Sequence, residues 1–259
     1  MLHESTEMNP PKPRIALFVT CLVDLMRPEV GFSALKLLEQ GGCDVVVPDG
    51  QTCCEQPAYN AGDRRTAHQL AVRVLGQLEG YDYVVIPSGS CAGMIKVHYF
   101  DLFSNDPQMK RRMADLAPRV YELTDFLVSV LKVEHVPSQV QGTVTYHDSC
   151  SGLRELGVSA QPRALLSKIA GLELKEMKDC RACCGFGGTF AMKYGNVSAA
   201  IVDEKVHNIQ DTGAQAVVLG DLGCMLNIEG RLRRLGDERT QVLHVAQVLA
   251  GDVWPASNN

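Results

Sequence analysis

Ten cysteines stand in this chain of 259 residues, and eight of them keep a spacing that recurs. Cys53-Cys54 and Cys183-Cys184 are adjacent pairs. Each pair has one distant cysteine on either side, Cys21 and Cys91 around the first, Cys150 and Cys224 around the second. The intervals are 32 and 37 positions in the first set and 33 and 40 in the second. Thiolates bind soft or borderline metals, so a set of four suits zinc or an iron–sulfur cluster. The adjacency favours the cluster, because successive residues at a strand end point in different directions and reach two irons more easily than two corners of one zinc tetrahedron. A redox-active vicinal disulfide is the other chemistry open to such a pair. Burial as a small apolar residue is the ordinary fate of a lone cysteine such as Cys43.

Around the second pair the chain runs Asp179-Cys180-Arg181-Ala182-Cys183-Cys184-Gly185-Phe186-Gly187-Gly188-Thr189-Phe190. Its glycines leave little side-chain bulk to keep a large ligand from the backbone. Phe190 occupies the place of the third glycine of a dinucleotide fingerprint, so nicotinamide or flavin binding has little support here. Cys180 has no partner in the first set, where the matching position is Gly50; it is an extra ligand, a resolving thiol or neither. His98 and His147 lie near site cysteines as candidate ligands or proton donors, against the ordinary reading of surface or core histidines. Arg181, Lys96 and Lys193 are candidates to offset the charge of a thiolate-bound cluster, although solvated surface positions are the norm for such residues.

The elements that must position these thiols repeat as well. Gly42 and Gly171 are 129 positions apart, as are Cys21 and Cys150; Val84 and Val217 are 133 apart, as are Cys91 and Cys224. Flanking glycines and strands that keep step with the cysteines imply internal duplication. Apolar runs at Arg14–Thr20, Val45–Pro48 and Tyr83–Ile86 read as buried parallel strands in the first unit, with Thr143–Tyr146, Leu172–Met177 and Ala216–Leu219 in the second. Between them lie helices. One starts near Pro28 and stops at Gly41-Gly42, a longer one carries Leu70, Val74, Leu75 and Leu78 and ends at Gly80, and their counterparts carry Leu165, Leu166 and Ile169, then Val202, Val206 and Ile209. Closing helices are expected near Val120–Leu131 and Val242–Leu249.

Alternating strands and helices predict an α/β fold of two duplicated units, each a small parallel sheet with flanking helices. Every site cysteine then falls beyond the carboxyl end of a strand, where ligands bind in such sheets. The expected division is a tail over 1–13, a first unit over 14–138 and a second over 139–259.

Composition bounds the function. A hydrophobic content of 46% with 21% charged residues is that of a globular protein, and a net charge of −5 without a basic patch argues against a nucleic-acid partner. No run of about 18 apolar residues is present, and the first residues, with Glu4, Glu7 and Pro10, lack the apolar core of a signal peptide. A cytoplasmic location without an integral membrane segment is expected. In that setting ten cysteines point to metal or redox chemistry rather than to disulfides.

Cysteine, a long interval, Cys-Cys, a second interval and a further cysteine resemble the cysteine-rich CCG domain, which occurs twice in the cluster-bearing subunit of heterodisulfide reductase and in glycolate oxidase iron–sulfur subunits. Two copies without a ferredoxin domain, together with Cys54-Glu55-Gln56-Pro57-Ala58-Tyr59-Asn60-Ala61-Gly62, Ser88-Gly89-Ser90-Cys91-Ala92-Gly93-Met94 and Cys183-Cys184-Gly185-Phe186-Gly187-Gly188, are most similar to the lactate-utilisation protein A family. There are departures. Met94 and Asn227 replace the last cysteine of each Cys-x-x-Cys, and Glu55 stands where the first copy would have its glycine. Four thiols per unit are one fewer than heterodisulfide reductase uses for its disulfide-cleaving cluster. The resemblance implies an oxidoreductase subunit of a complex oxidising L-lactate to pyruvate. That subunit works with a ferredoxin-like iron–sulfur subunit and a third protein, and the two quartets hold iron–sulfur clusters of 4Fe-4S type for electron transfer. Zinc in one or both sites, in a structural or assembly subunit without redox role, is the alternative, as is a thiol/disulfide reductase of heterodisulfide reductase type.

Overall fold

A computed structural model describes residues 12–252, so the tail expected over 1–13 lies outside the described residues except for Lys12 and Pro13. The first half begins with strand β1 (Arg14–Leu17), helices α1 (Cys21–Met26) and α2 (Pro28–Gln40), strand β2 (Asp44–Val46), and helices α3 (Gln56–Asn60) and α4 (Arg64–Leu78). It continues through strand β3 (Tyr83–Ile86), α5 (Gly89–Gly93), a wide turn over Met94–His98, α6 (Tyr99–Leu102) and α7 (Pro107–Leu116). Strand β4 (Val120–Glu122) and α8 (Leu123–Asp125), prolonged by a wide turn over Phe126–Val130, complete it. The second half repeats the pattern: β5 (Gly142–His147), α9 (Cys150–Leu156), α10 (Ala160–Leu166), β6 (Leu172–Leu174), α11 (Phe190–Lys193), α12 (Gly195–Gln210), β7 (Ala216–Leu219), α13 (Leu222–Arg234), β8 (Gln241–His244) and α14 (Val245–Ala250).

Each half forms one four-stranded sheet, ordered β2-β1-β3-β4 and β6-β5-β7-β8, with every pairing parallel. The α/β duplication expected from the spacing is therefore present, with one more strand per sheet than the sequence suggests. The closing helices expected near 120–131 and 242–249 are preceded by β4 and β8, which pair with β3 and β7. Three or four residues of strand give too short an apolar pattern to separate from the helix that follows; pairing decides them. Two short helices, α1 and α9, also go beyond that reading, and each opens on a site cysteine.

Side chains alternate across β1: Ile15 and Leu17 join one core, Ala16 and Phe18 another. The first core is shared, running from Leu17, Leu38 and Phe126 of one half to Leu165, Val217 and Leu249 of the other; the second, with Phe18, Ile86, Tyr99 and Met113, belongs to the first half. The halves cover each other reciprocally. Helix α2 packs on α14, while its counterpart α10 packs on α8 and the turn that prolongs it. Helix α5 crosses α9 at a glycine contact, where a Cβ on Gly89 would lie 2.8 Å from the Gly152 Cα.

Candidate metal centres

The eight spaced cysteines gather as two quartets, and each thiol occupies the same kind of position in both. Cys21 and Cys150 open α1 and α9, whose first turns are capped by Thr20, accepting from Val23 N–H at 3.3 Å, and by Ser149, accepting from Gly152 N–H at 3.3 Å. Cys91 and Cys224 lie in the first turns of α5 and α13, capped by Ser88 and Asp221. The adjacent pairs occupy the loops after β2 and β6. All four attachment points therefore follow strand ends on one rim of each sheet, as parallel topology dictates.

The adjacent pairs share a tight local geometry. Glu55 N–H donates to Cys53 Sγ at 3.3 Å, and Gly185 N–H donates to Cys183 Sγ at 3.3 Å. Bringing that amide back onto the sulfur requires a left-handed residue: Gly185 has φ +84°, and Glu55 adopts φ +63° in its place. A Cβ on Gly185 would meet the Ser198 carbonyl at 2.7 Å. The carbonyl of the second cysteine is tied from above in both sites, by the Tyr99 hydroxyl donating to Cys54 O at 3.2 Å and by Asn227 Nδ2 donating to Cys184 O at 2.8 Å. Asn227, which replaces the expected final cysteine of the second copy, thus serves the site from its backbone side.

Within the first quartet Cys21 Sγ lies 3.5 Å from Cys53 Sγ. Cys53 and Cys183 are pulled far below the ordinary thiol range, first because Cys21 and Cys150 donate to them, then through the neighbouring thiol of each pair. The same contacts push Cys21 and Cys150 upward, with burial adding to them. Cys54 and Cys184 are pushed well up, by their contacts with Cys53 and Cys183, by those with Cys91 and Cys224, and by burial. Several thiols so close together cannot all ionise away from water without a cation among them.

The first quartet faces a cavity of about 240 Å³ lined by Leu22, Pro57 and, from the other half, Phe186, Met192 and Leu222. Met192 is 87% exposed at its edge. The second quartet is more enclosed, Cys224 being buried where Cys91 is half-buried. His147, at the end of β5, is fully buried; one of its ring nitrogens and the sulfurs of Cys184 and Cys224 all lie within 4.8 Å of one another. Burial, with Lys205 nearby, drives its ring well down, to about 3, so the ring is neutral.

Lys205 is 1% exposed, close to Cys180, Cys184 and Cys224, with Nζ donating to the Asp179 carbonyl at 2.5 Å. Burial lowers the pKa of Lys205 and the neighbouring cysteines oppose that shift, so a negative group in the site would favour its charged form. The sequence points instead to Arg181, Lys96 and Lys193. Arg181 and Lys193 are exposed, and Lys96 donates to the Val120 carbonyl at 2.8 Å, beside the Tyr121 ring. The signal for Lys205 was its phase: it sits with Val202, Val206 and Ile209 on the buried face of α12. His98 joins Glu155 of the second half, Nε2 to Oε1 at 3.2 Å. Cys180 lies beside Asp148 and Arg163, and Cys43 is buried among apolar residues.

One carboxylate connects the two centres. Asp221 Oδ1 accepts from Gly223 N–H at 3.1 Å, capping the helix of Cys224, while Oδ2 accepts from Ser90 N–H at 2.8 Å and the Ser88 hydroxyl at 3.1 Å, at the head of the helix of Cys91.

Comparison with known proteins agrees with this geometry. The cysteine-rich CCG domain matches residues 15–96 and again 144–229, the two segments that carry the quartets. Lactate utilization protein A 2 of Bacillus cereus (strain Q1) is 45% identical over 237 residues, covering 92% of this chain and 98% of that protein. Lactate utilization protein A of Geobacillus kaustophilus (strain HTA426) is 47% identical over 236 residues, covering 91% and 98%. A hypothetical protein from Helicobacter pylori shares the fold at a TM-score of 0.62 and 15% identity, over 95% of this chain and 50% of that one. Two CCG domains in tandem, matched nearly end to end by these relatives, place the chain in the lactate utilization protein A family.

Proposed function

We propose that the protein is the iron–sulfur subunit of a cytoplasmic complex that oxidises L-lactate to pyruvate, working with a ferredoxin-like iron–sulfur subunit and a third protein. Its halves, 14–138 and 139–259, each hold one centre. Cys21, Cys53, Cys54 and Cys91 are the ligands of the first, and Cys150, Cys183, Cys184 and Cys224 those of the second. The observation that carries the reading is the convergence of two thiol quartets on equivalent rims of two duplicated sheets, in a chain 45% identical to a lactate utilization protein. The donor set and the buried Lys205 both fit a thiolate-bound cluster of 4Fe-4S type, which supplies one-electron redox capacity when bound.

The chain's own residues do the rest. Amide N–H groups of Glu55 and Gly185 stabilise the first thiolate of each pair, and Tyr99 and Asn227 fix the backbone of the second cysteine. Leu22, Pro57 and Phe186 exclude water around the first centre, whose cavity opens toward Met192. With a cluster bound there, that opening would be the side from which a redox partner could approach it.

Zinc is the second reading, and one distance favours it. Zn–S bonds of about 2.3 Å put the corners of a tetrahedron ~3.8 Å apart, close to the 3.5 Å between Cys21 and Cys53. Iron, zinc and acid-labile sulfide are measured on protein purified without oxygen, with absorption and low-temperature EPR spectra. Several irons and sulfides per chain are expected. Cys184→Ser is expected to abolish the second centre's chromophore and lactate-dependent reduction in the reconstituted complex. Zinc without sulfide in an active complex replaces the redox reading with the structural one.

A further inference from the structure

We propose that His147 is a metal ligand, making the second centre a mixed imidazole–thiolate site while the first is bound by thiolates alone. The inference rests on the metal-binding reading above but not on which metal is bound. His147 is fully buried at the carboxyl end of β5, and neither Nδ1 nor Nε2 has a hydrogen-bond partner. A histidine retained only for packing leaves its ring nitrogens dehydrated without a well-formed hydrogen bond, an arrangement native interiors avoid. A metal resolves it. The ligating nitrogen lies within 4.8 Å of both Cys184 Sγ and Cys224 Sγ, two thiols that are themselves buried. The Cys180 carbonyl lies beside the ring as a weak, poorly aligned acceptor. A small ring rotation on coordination would let the free N–H reach it, the usual companion of a metal-bound imidazole.

Duplication provides an internal control. The position 129 residues before His147 is Phe18, also fully buried but with no donor atom. The two centres therefore differ in ligand chemistry at a matched place in the fold. His147 is thus a donor added beside the four thiols of the second centre, with no counterpart at the first.

The test uses the full chain carrying Cys53→Ser and Cys54→Ser, so that only the second centre contributes, with ¹⁵N-labelled histidine. With iron, pulsed EPR of the reduced centre is expected to show a strongly coupled nitrogen that changes with the label. With zinc, X-ray absorption is expected to show imidazole outer-shell scattering. Either signal should vanish in His147→Ala and persist in His98→Ala. Should His147→Ala lose its metal, the labelled chain with His147 intact still decides the point, and His147→Cys is expected to recover metal without the nitrogen signal. Metal bound at the second centre with no histidine signal overturns the ligation and leaves the metal-site reading standing. A wild-type chain with no metal at that centre overturns both.

Discussion

The third residue of each pair motif shows how one backbone angle governs a thiol. Gly185 and Glu55 turn left-handed to lay their N–H groups on the sulfurs of Cys183 and Cys53. A non-glycine residue is strained there by about 1 kcal/mol. Glu55→Gly is expected to raise stability by about 0.5–1 kcal/mol with metal content unchanged. Gly185→Ala should instead empty the second centre, because its Cβ collides with the Ser198 carbonyl. Urea midpoints and metal per chain read both effects. His244 makes a pH prediction. Its ring is fully buried, caps α14 by accepting from Ala246 N–H at 3.2 Å, and is pushed down to about 4, chiefly by burial. Below about pH 6.5 the unfolded chain takes up a proton that the folded one refuses. Stability is thus intact above that pH and falls, by up to about 1.4 kcal/mol per pH unit, as pH drops toward 4. His244→Asn keeps a capping side chain without the titration, so its urea stability should fall less steeply between pH 6 and pH 4.5; an unchanged slope would contradict the assignment.

At the scale of elements, the centres are built from helix heads, and Asp221 joins two of them. Removing its carboxylate leaves Ser90 N–H and Gly223 N–H without partners, a cost of about 2–4 kcal/mol. Asp221→Ala is expected to lower metal occupancy at both centres. Asp106→Ala, which removes a cap from α7, a helix that carries no cysteine, should cost about 1 kcal/mol and leave the metal in place. Metal analysis beside thermal unfolding separates the two. These helix heads also mark where the sequence was legible. The strands β1, β3, β5 and β7 stood out because buried parallel strands are continuous apolar runs, and the cysteines could be placed at their ends on topology alone. Short β4 and β8, and the short helices on Cys21 and Cys150, carry too few residues for a period and are fixed by pairing and capping. Asp221 was invisible for another reason. A polar residue's burial depends on what folds over it, and here that comes from distant segments.

The whole molecule is two copies of one unit that have lost independence. The shared core crosses from one sheet to the other, and the reciprocal helices cover faces that neither half can cover alone. Ending the chain at residue 240 removes β8 and α14, with Val245, Val248 and Leu249 all fully buried. At about 1.5–3 kcal/mol for each such side chain, the loss rivals the entire stability of an ordinary domain. The shortened chain is expected to be degraded readily by protease in both halves, including at α2. Resistance confined to the first half would show that it stands without its partner.

That dependence sets an order of events during synthesis. Helix α2 emerges early from the ribosome, while α14, the last described helix, emerges only after both sheets have been translated. The apolar face of α2 therefore lacks its final partner for most of translation. Cys91 and Cys224 likewise reach their final places only when Asp221 can draw α5 and α13 together. With the quartets as metal ligands, as proposed above, loading of both centres waits until Asp221 has been translated, and a cell short of metal would accumulate empty chains.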